Sequence, residues 1–67
     1  MDKQVINAYS DSMINEAAAE LGLASEYVNS HTSVEWDENG DVTISVIVED
    51  DNGMTVTKEM TLKQLNG

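Results

Sequence analysis

The 67-residue sequence contains no cysteine, no proline, no phenylalanine and no arginine. The lack of cysteine excludes disulfide bonds and thiolate metal sites, so the fold must rest on side-chain packing alone. No apolar run approaches the roughly 18 residues needed to span a membrane, and residues 1–4 lack the basic and apolar regions of a signal peptide. We therefore expect a cytoplasmic protein that forms one acidic domain over residues 1–67, without membrane association.

Basic residues are scarce as well. Three lysines stand against 13 acidic residues, which gives a formal net charge of −10 at pH 7. Such a charge repels nucleic acids and anionic membranes, and it attracts basic proteins at rates that fall as salt rises. The composition therefore predicts a basic protein as partner and argues against direct nucleic-acid binding. The alternative is that the acidity only keeps the protein soluble.

The sequence offers little for catalysis or for metal binding. Its one histidine, His31, lies in a polar connection and is expected to be an exposed loop residue. There is no glycine-rich phosphate loop. Residues 37–41 place oxygens at positions 1, 3 and 5 as a calcium loop does, but glycine stands at position 4 instead of 6, and position 12 is Val48. We expect a non-enzymatic protein without a metal or cofactor.

The first third of the chain has a helical pattern. Between residues 3 and 21, apolar side chains recur on one side of a 3.6-residue repeat, with polar side chains opposite. Asp2 suits the N-cap, and Gly22 suits the left-handed position just past the C-terminus. The pattern predicts a helix over 3–21, and Ser25 predicts the start of one further helical turn. The apolar residues of the helix are Val5, Ile6, Tyr9, Met13, Ile14, Ala17 and Leu21.

The rest of the chain alternates between apolar and polar residues, which predicts strands over 32–37, 41–50 and 54–63. Asn-Gly occurs at 39–40 and again at 52–53. Two-residue loops there would pair apolar residues with polar ones, whereas three-residue loops, 38–40 and 51–53, with left-handed glycines pair apolar residues with each other. The predicted pairs are Trp36–Val42, Val34–Ile44, Val48–Val56, Ile44–Met60 and Val42–Leu62.

These elements predict an α+β fold, with the N-terminal helix packed on a three-stranded antiparallel meander of order 1-2-3. A helix of about 28 Å matches strands of about 23 Å, so it can cover the apolar face of the sheet. Trp36 is then expected to pack in the core, with an anchor for a partner as the alternative. Lys58 is expected to face inward opposite Val46, to discourage sheet aggregation, and to pair with Glu16 or Glu20.

The same register predicts an acidic outer surface. Eight of the 13 acidic residues fall on the sheet face away from the helix or in the loops at its two ends. Asp37 and Asp41 would lie directly opposite each other, where like charges destabilise, which suggests that the acids are kept for function. Ile47 is the strongly apolar residue expected on this face. The candidate partner-binding residues are Glu35, Asp37, Glu38, Asp41, Glu49, Asp50, Asp51 and Glu59.

Carboxylates spread over about 25 Å resemble, in charge and reach, roughly seven base-pair steps of duplex phosphates. We therefore expect a nucleic-acid mimic, a stoichiometric inhibitor that occupies the basic nucleic-acid-binding surface of a partner such as a nuclease. Small size, acidity and the lack of catalytic residues are features shared, by analogy, with phage- and mobile-element-encoded inhibitors of restriction and CRISPR nucleases. The alternative is a structural or oligomerisation module that pairs through an edge strand or through the Thr-rich outer face.

Overall fold

The computed structural model describes residues 2–63, which form one helix and a 3-10 turn packed on a three-stranded antiparallel sheet. Helix α1 spans Lys3–Glu20 and the 3-10 turn spans Ser25–Tyr27. The strands are β1, Asn29–Trp36; β2, Val42–Glu49; and β3, Thr55–Leu62. Their order is β1-β2-β3, so β1 and β3 are the edges of the sheet. The predicted α+β meander is confirmed.

Both ends of α1 are capped as the sequence predicted. The Asp2 carboxylate accepts a hydrogen bond of 3.0 Å from the Gln4 amide. At the other end, the Leu23 amide donates to the Ala18 carbonyl at 3.0 Å, and Gly22 takes a φ of +76°. Glycine adopts this left-handed conformation without the penalty that a Cβ brings, and the turn satisfies carbonyls at the helix end. No helix within residues 2–63 is long and apolar enough to cross a membrane.

Two loops of the same construction join the strands. In the first loop, residues 37–41, Gly40 has a φ of +82°, and in the second loop, residues 50–54, Gly53 has a φ of +83°. In each loop the amide of the first residue donates to the carbonyl of the fifth at 3.0 Å, which closes the hairpin around three connecting residues. Every strand pair predicted from these loops is present in the sheet.

The core lies between α1 and the inner face of the sheet, which is the face toward the helix. Ile6 and Met13 pack near the start of β2, whereas Ala17 and Ala18 pack near its end. The helix therefore runs along the central strand in the same direction. The four residues of β2 that have no exposed surface are Val42, Ile44, Val46 and Val48.

Helix α1 packs on β2 and β3 and leaves the inner face of β1 largely uncovered. Trp36, predicted in the core, is 58% exposed, and Ser30 and Thr32 on the same face of β1 are exposed as well. A helix with its side chains is about 10 Å wide, whereas three strands about 4.8 Å apart occupy about 14 Å. The Trp36 prediction was wrong because alternation identifies the face of a strand, but not how far the helix reaches across the sheet.

The packed side of α1 also differs from the prediction. Val5 and Tyr9 were expected in the core and are exposed, whereas Ser10 and Ala18 are buried. Ser10 tolerates burial because its hydroxyl donates to the Ile6 carbonyl at 3.0 Å, so this buried hydroxyl has a hydrogen-bond partner. The helical repeat thus predicted the direction of the packed side to within about 100°, which is the angle between successive residues around the helix axis.

Strand β1 begins at Asn29, three residues before its predicted start. His31, expected in a loop, therefore lies in β1 opposite Ile47. The prediction was wrong here because the strand starts with polar residues that carry no alternating pattern. The other two strands are each one residue shorter at both ends than predicted.

Lys58 lies on the inner face of β3 opposite Val46 and forms an ion pair with Glu20. The hydrogen bond to Glu20 raises the pKa of Lys58 above its usual value of 10.5, and burial of the ammonium group opposes this effect. Of the two partners expected from the sequence, Glu20 makes the bond, while Glu16 contributes through its charge alone. The predicted inward lysine is confirmed.

Candidate functional site

The outer face of the sheet, away from α1, is polar and acidic. Hydroxyl groups bond across it: the Thr43 and Thr61 hydroxyls lie 3.0 Å apart, and Ser45 donates to Glu59 at 3.3 Å. Within the three strands, no lysine shares this face. Its residues are Asn29, His31, Ser33 and Glu35 of β1, Thr43, Ser45, Ile47 and Glu49 of β2, and Thr55, Thr57, Glu59 and Thr61 of β3.

The three glutamates of the outer face are exposed and widely spaced. Glu35 lies opposite Thr43, Glu59 lies opposite Ser45, and Glu49 lies at the far end of β2. With about 3.3 Å per residue and about 4.8 Å between strands, neighbouring glutamates are separated by about 12 to 14 Å. Duplex DNA carries one charge per about 1.7 Å of its axis. The outer face alone is therefore much less densely charged than a duplex.

The first aspartate of each loop binds the amides of its own loop. One carboxylate oxygen, Oδ1, accepts hydrogen bonds from the amides two and four residues further on, at 2.9 and 3.0 Å for Asp37 and at 2.8 and 2.9 Å for Asp50. Side-chain oxygens of Asp commonly stabilise turns in this way. Asp37 and Asp50 therefore have a structural role that the sequence analysis missed, although the repeated Asp-x-Asn-Gly spacing signals it.

Asp41 is largely withdrawn from solvent. It is 8% exposed, and its Oδ2 lies 3.4 Å from the Nζ of Lys63. Asp37 does lie opposite Asp41, as predicted, and its amide donates to the Asp41 carbonyl. However, Lys63 and the loop amides offset the like charges, so the expected repulsion does not by itself point to a function. Asp41 also offers a partner little of its surface.

Asp37 is exposed, but its carboxylate binds two loop amides and is set apart here. The other exposed carboxylates of the predicted site are divided between the sheet and the loops. Glu38 lies in the first loop and Asp51 in the second, at opposite ends of β2. Together with the three glutamates of the outer face they form a set that we call the acidic face. The acidic face consists of Glu35, Glu38, Glu49, Asp51 and Glu59.

A cleft of about 360 Å³ lies beside the second loop. Tyr27, at the end of the 3-10 turn, is 66% exposed and forms one wall of the cleft. An aromatic ring, apolar side chains and carboxylates together suit the aliphatic stem and cationic end of a lysine or arginine side chain. The sequence analysis did not identify this cleft, although Leu21, Leu23 and Tyr27 stand close together in the segment before β1. The lining residues are Leu21, Leu23, Tyr27, Asp50, Asp51 and Asn52.

Within residues 2–63, no three histidine, aspartate or glutamate side chains are grouped so that they could hold a metal ion. The calcium-like pattern of the first loop instead uses Asp37 to bind backbone amides. Ile47 is 47% exposed near the middle of the outer face, as its register predicted, with His31 and Thr57 on either side.

Comparisons with protein-family models, with curated proteins and with solved structures found no match. The function is therefore inferred from the geometry and charge of the chain itself.

Proposed function

We propose that the protein is a non-enzymatic inhibitor that occupies the basic nucleic-acid-binding surface of another protein. The observation that carries the proposal is the acidic face, in which five exposed carboxylates lie on one side of the sheet and on the loops at both of its ends. Within the strands no lysine interrupts this side. An elongated surface of one charge sign complements a basic groove and accelerates encounter with it.

The charge per unit length favours a site that accepts single-stranded nucleic acid. The molecule is 44 Å long and carries a net charge of −10, which is about one charge per 4 Å. A single nucleic-acid strand carries one charge per about 3.4 Å, whereas a duplex carries one per about 1.7 Å. The whole molecule thus approaches a single strand in charge density. Mimicry of a single strand is the form of the proposal that these numbers support best.

The cleft beside the second loop supplies a place where a partner's side chain binds. Tyr27 offers a ring face for a cation, and Asp51 on the rim offers a counter-charge. Aromatic residues in partly enclosed positions contribute more to binding energy than exposed charges on a rim. The acidic face then steers the encounter, while the cleft holds a lysine or arginine of the partner.

The test is displacement of a labelled oligonucleotide from basic nucleases and from single-strand-binding proteins. The variant Glu49→Gln/Glu59→Gln removes two charges from the acidic face, and the control Asp11→Asn/Glu16→Gln removes two from exposed positions on the helix. Because both variants have the same net charge, a difference between them reports the position of the charges. We expect the first variant to weaken inhibition roughly tenfold and the control no more than about threefold.

Two outcomes contradict this proposal. If wild-type protein displaces no oligonucleotide from any member of the panel, the inhibitory function is wrong. If the two variants lose inhibition equally, the net charge acts without a defined acidic face. Neither variant changes a residue of β1, so both variants keep that edge of the sheet as it is in wild type.

A further inference from the structure

Strand β1 presents an open ladder of backbone groups on the edge of the sheet. Hydrogen-bonded pairs alternate along antiparallel strands. Because Asp37, just after β1, donates its amide to Asp41, the odd-numbered residues of β1 bond to β2. The even-numbered residues therefore turn their N–H and C=O groups to the open edge, and their side chains form the inner face that α1 leaves uncovered. These residues are Ser30, Thr32, Val34 and Trp36.

The two edges of the sheet differ in chemistry. β3 carries Lys58 on its inner face and Glu59 beside it, and an inward charge on an edge strand discourages the addition of another strand. β1 contains neither lysine nor proline, and Glu35 is its one acidic residue. It is also eight residues long, which is enough for a stable ladder. An added strand is therefore favoured at β1.

We propose that two copies of the chain pair through β1, antiparallel about a twofold axis at Ser33, to form a continuous six-stranded sheet. Residues that pair across the new ladder must point to the same face, so the register joins positions of equal parity. An axis at Ser33 places Thr32 opposite Val34 of the second copy and Ser30 opposite Trp36 of the second copy. Both inner faces then lie on one side of the sheet, with the two helices.

Side-chain complementarity distinguishes this register from its neighbours, because the imidazole of a histidine donates a hydrogen bond to a carboxylate. On the outer face, His31 of one copy lies directly opposite Glu35 of the other, twice by symmetry, at positions where Cα atoms are about 4.5 Å apart. An axis at Thr32 would place Glu35 opposite Asn29 instead, and an axis at Val34 would shorten the paired segment. The axis at Ser33 keeps seven residues of each strand paired and makes both contacts between histidine and glutamate.

The salt dependence of binding distinguishes this pairing from the proposed inhibition. Each copy carries a net charge of −10, so two copies repel each other, and screening by salt favours the dimer. Binding to a basic partner instead weakens as salt rises. Of the acidic face, Glu35 alone lies in β1, and Glu38, Glu49, Asp51 and Glu59 lie outside the proposed interface, so either proposal can fail without the other.

The experiment is analytical ultracentrifugation of the full chain at about 0.05 M and 0.5 M NaCl, over which the Debye length shortens from about 14 Å to about 4 Å. We expect a dimer whose dissociation constant falls with salt. Substitution His31→Glu sets two like-charged pairs across the interface and is expected to raise that constant roughly tenfold. Combining His31→Glu with Glu35→Lys places opposite charges at the paired positions and should bring the constant to within about threefold of wild type.

The matched control is Thr57→Glu. Thr57 lies in the same row of the outer face as His31, on the opposite edge of the sheet, and the substitution changes the formal charge equally. We expect it to leave dimerisation unchanged, and circular dichroism establishes that each variant is folded. A chain that stays monomeric at millimolar concentration in high salt overturns the proposal. A dimer that His31→Glu and Thr57→Glu weaken equally overturns the β1 interface.

Discussion

At Asp50, one carboxylate oxygen binds two amides of the second loop, whereas the neighbouring Asp51 is exposed. Substitution Asp50→Ala removes the acceptor from both amides, and the cost should resemble that of losing a helix cap, about 1 to 2 kcal/mol in the free energy of unfolding. Asp51→Ala removes the same charge and should change stability by less than about 0.5 kcal/mol.

Urea denaturation of the two variants, followed by circular dichroism, measures the difference. Because the net charge is the same in both, relief of electrostatic repulsion cancels in the comparison. Equal stability of the two variants would show that the hydrogen bonds of Asp50 do not hold the loop.

Lys58 makes a contribution to the free energy of unfolding that changes with pH in the alkaline range. Its pKa is raised in the folded state, chiefly by the hydrogen bond to Glu20. The contribution is therefore fully present below the usual value of 10.5 and is lost as the pH rises through the raised value. Compared with Lys58→Met, wild type should lose stability as the pH rises from 10.5 through the raised pKa, and not at lower pH, in urea denaturation at neutral and alkaline pH. A constant difference between the two proteins throughout would contradict this linkage.

At the scale of elements, the C-terminal part of α1 packs on the end of β2 through the small residues Ala17 and Ala18. Ala17 has no exposed surface and packs against Val48. Ala17→Leu adds volume where no space exists and should lower the free energy of unfolding by about 1 to 3 kcal/mol. Ala19→Leu, at an exposed position of the same helix, should change it by less than about 0.5 kcal/mol. Thermal denaturation compares the two variants, and equal melting temperatures would argue against close packing at Ala17.

The pairing of the strands could be predicted from the sequence because it depends on local chemistry. Two left-handed glycines, Gly40 and Gly53, and the alternation of apolar residues specify one register, and the structure has it. How far α1 reaches across the sheet could not be predicted from the sequence. Trp36 is exposed because one helix is too narrow to cover three strands, and the residue pattern of β1 does not reveal this. The hydrogen bonds from the Asp37 carboxylate to its own loop depend on the geometry of that loop. The sequence therefore predicted only that Asp37 adds negative charge to the surface.

For the molecule as a whole, acidity opposes folding. A net charge of −10 on a chain of 7.3 kDa repels itself in the compact state, and salt screens this repulsion. Raising NaCl from about 0.02 M to 0.5 M should raise the melting temperature by about 5 °C, which for a domain of this size corresponds to about 1 kcal/mol. The variant Asp11→Asn/Glu16→Gln should show a smaller rise. A melting temperature that is independent of salt would contradict self-repulsion.

Because α1 packs on β2 and β3, the helix and the second hairpin share nearly all of the core, while β1 is held mainly by its ladder to β2. Segments with few buried contacts open locally at a lower free energy than the whole molecule. Backbone amides that join β1 to β2 should therefore exchange with deuterium before those that join β2 to β3. We expect β2 to become an edge strand during such openings, because only β3 is then paired with it.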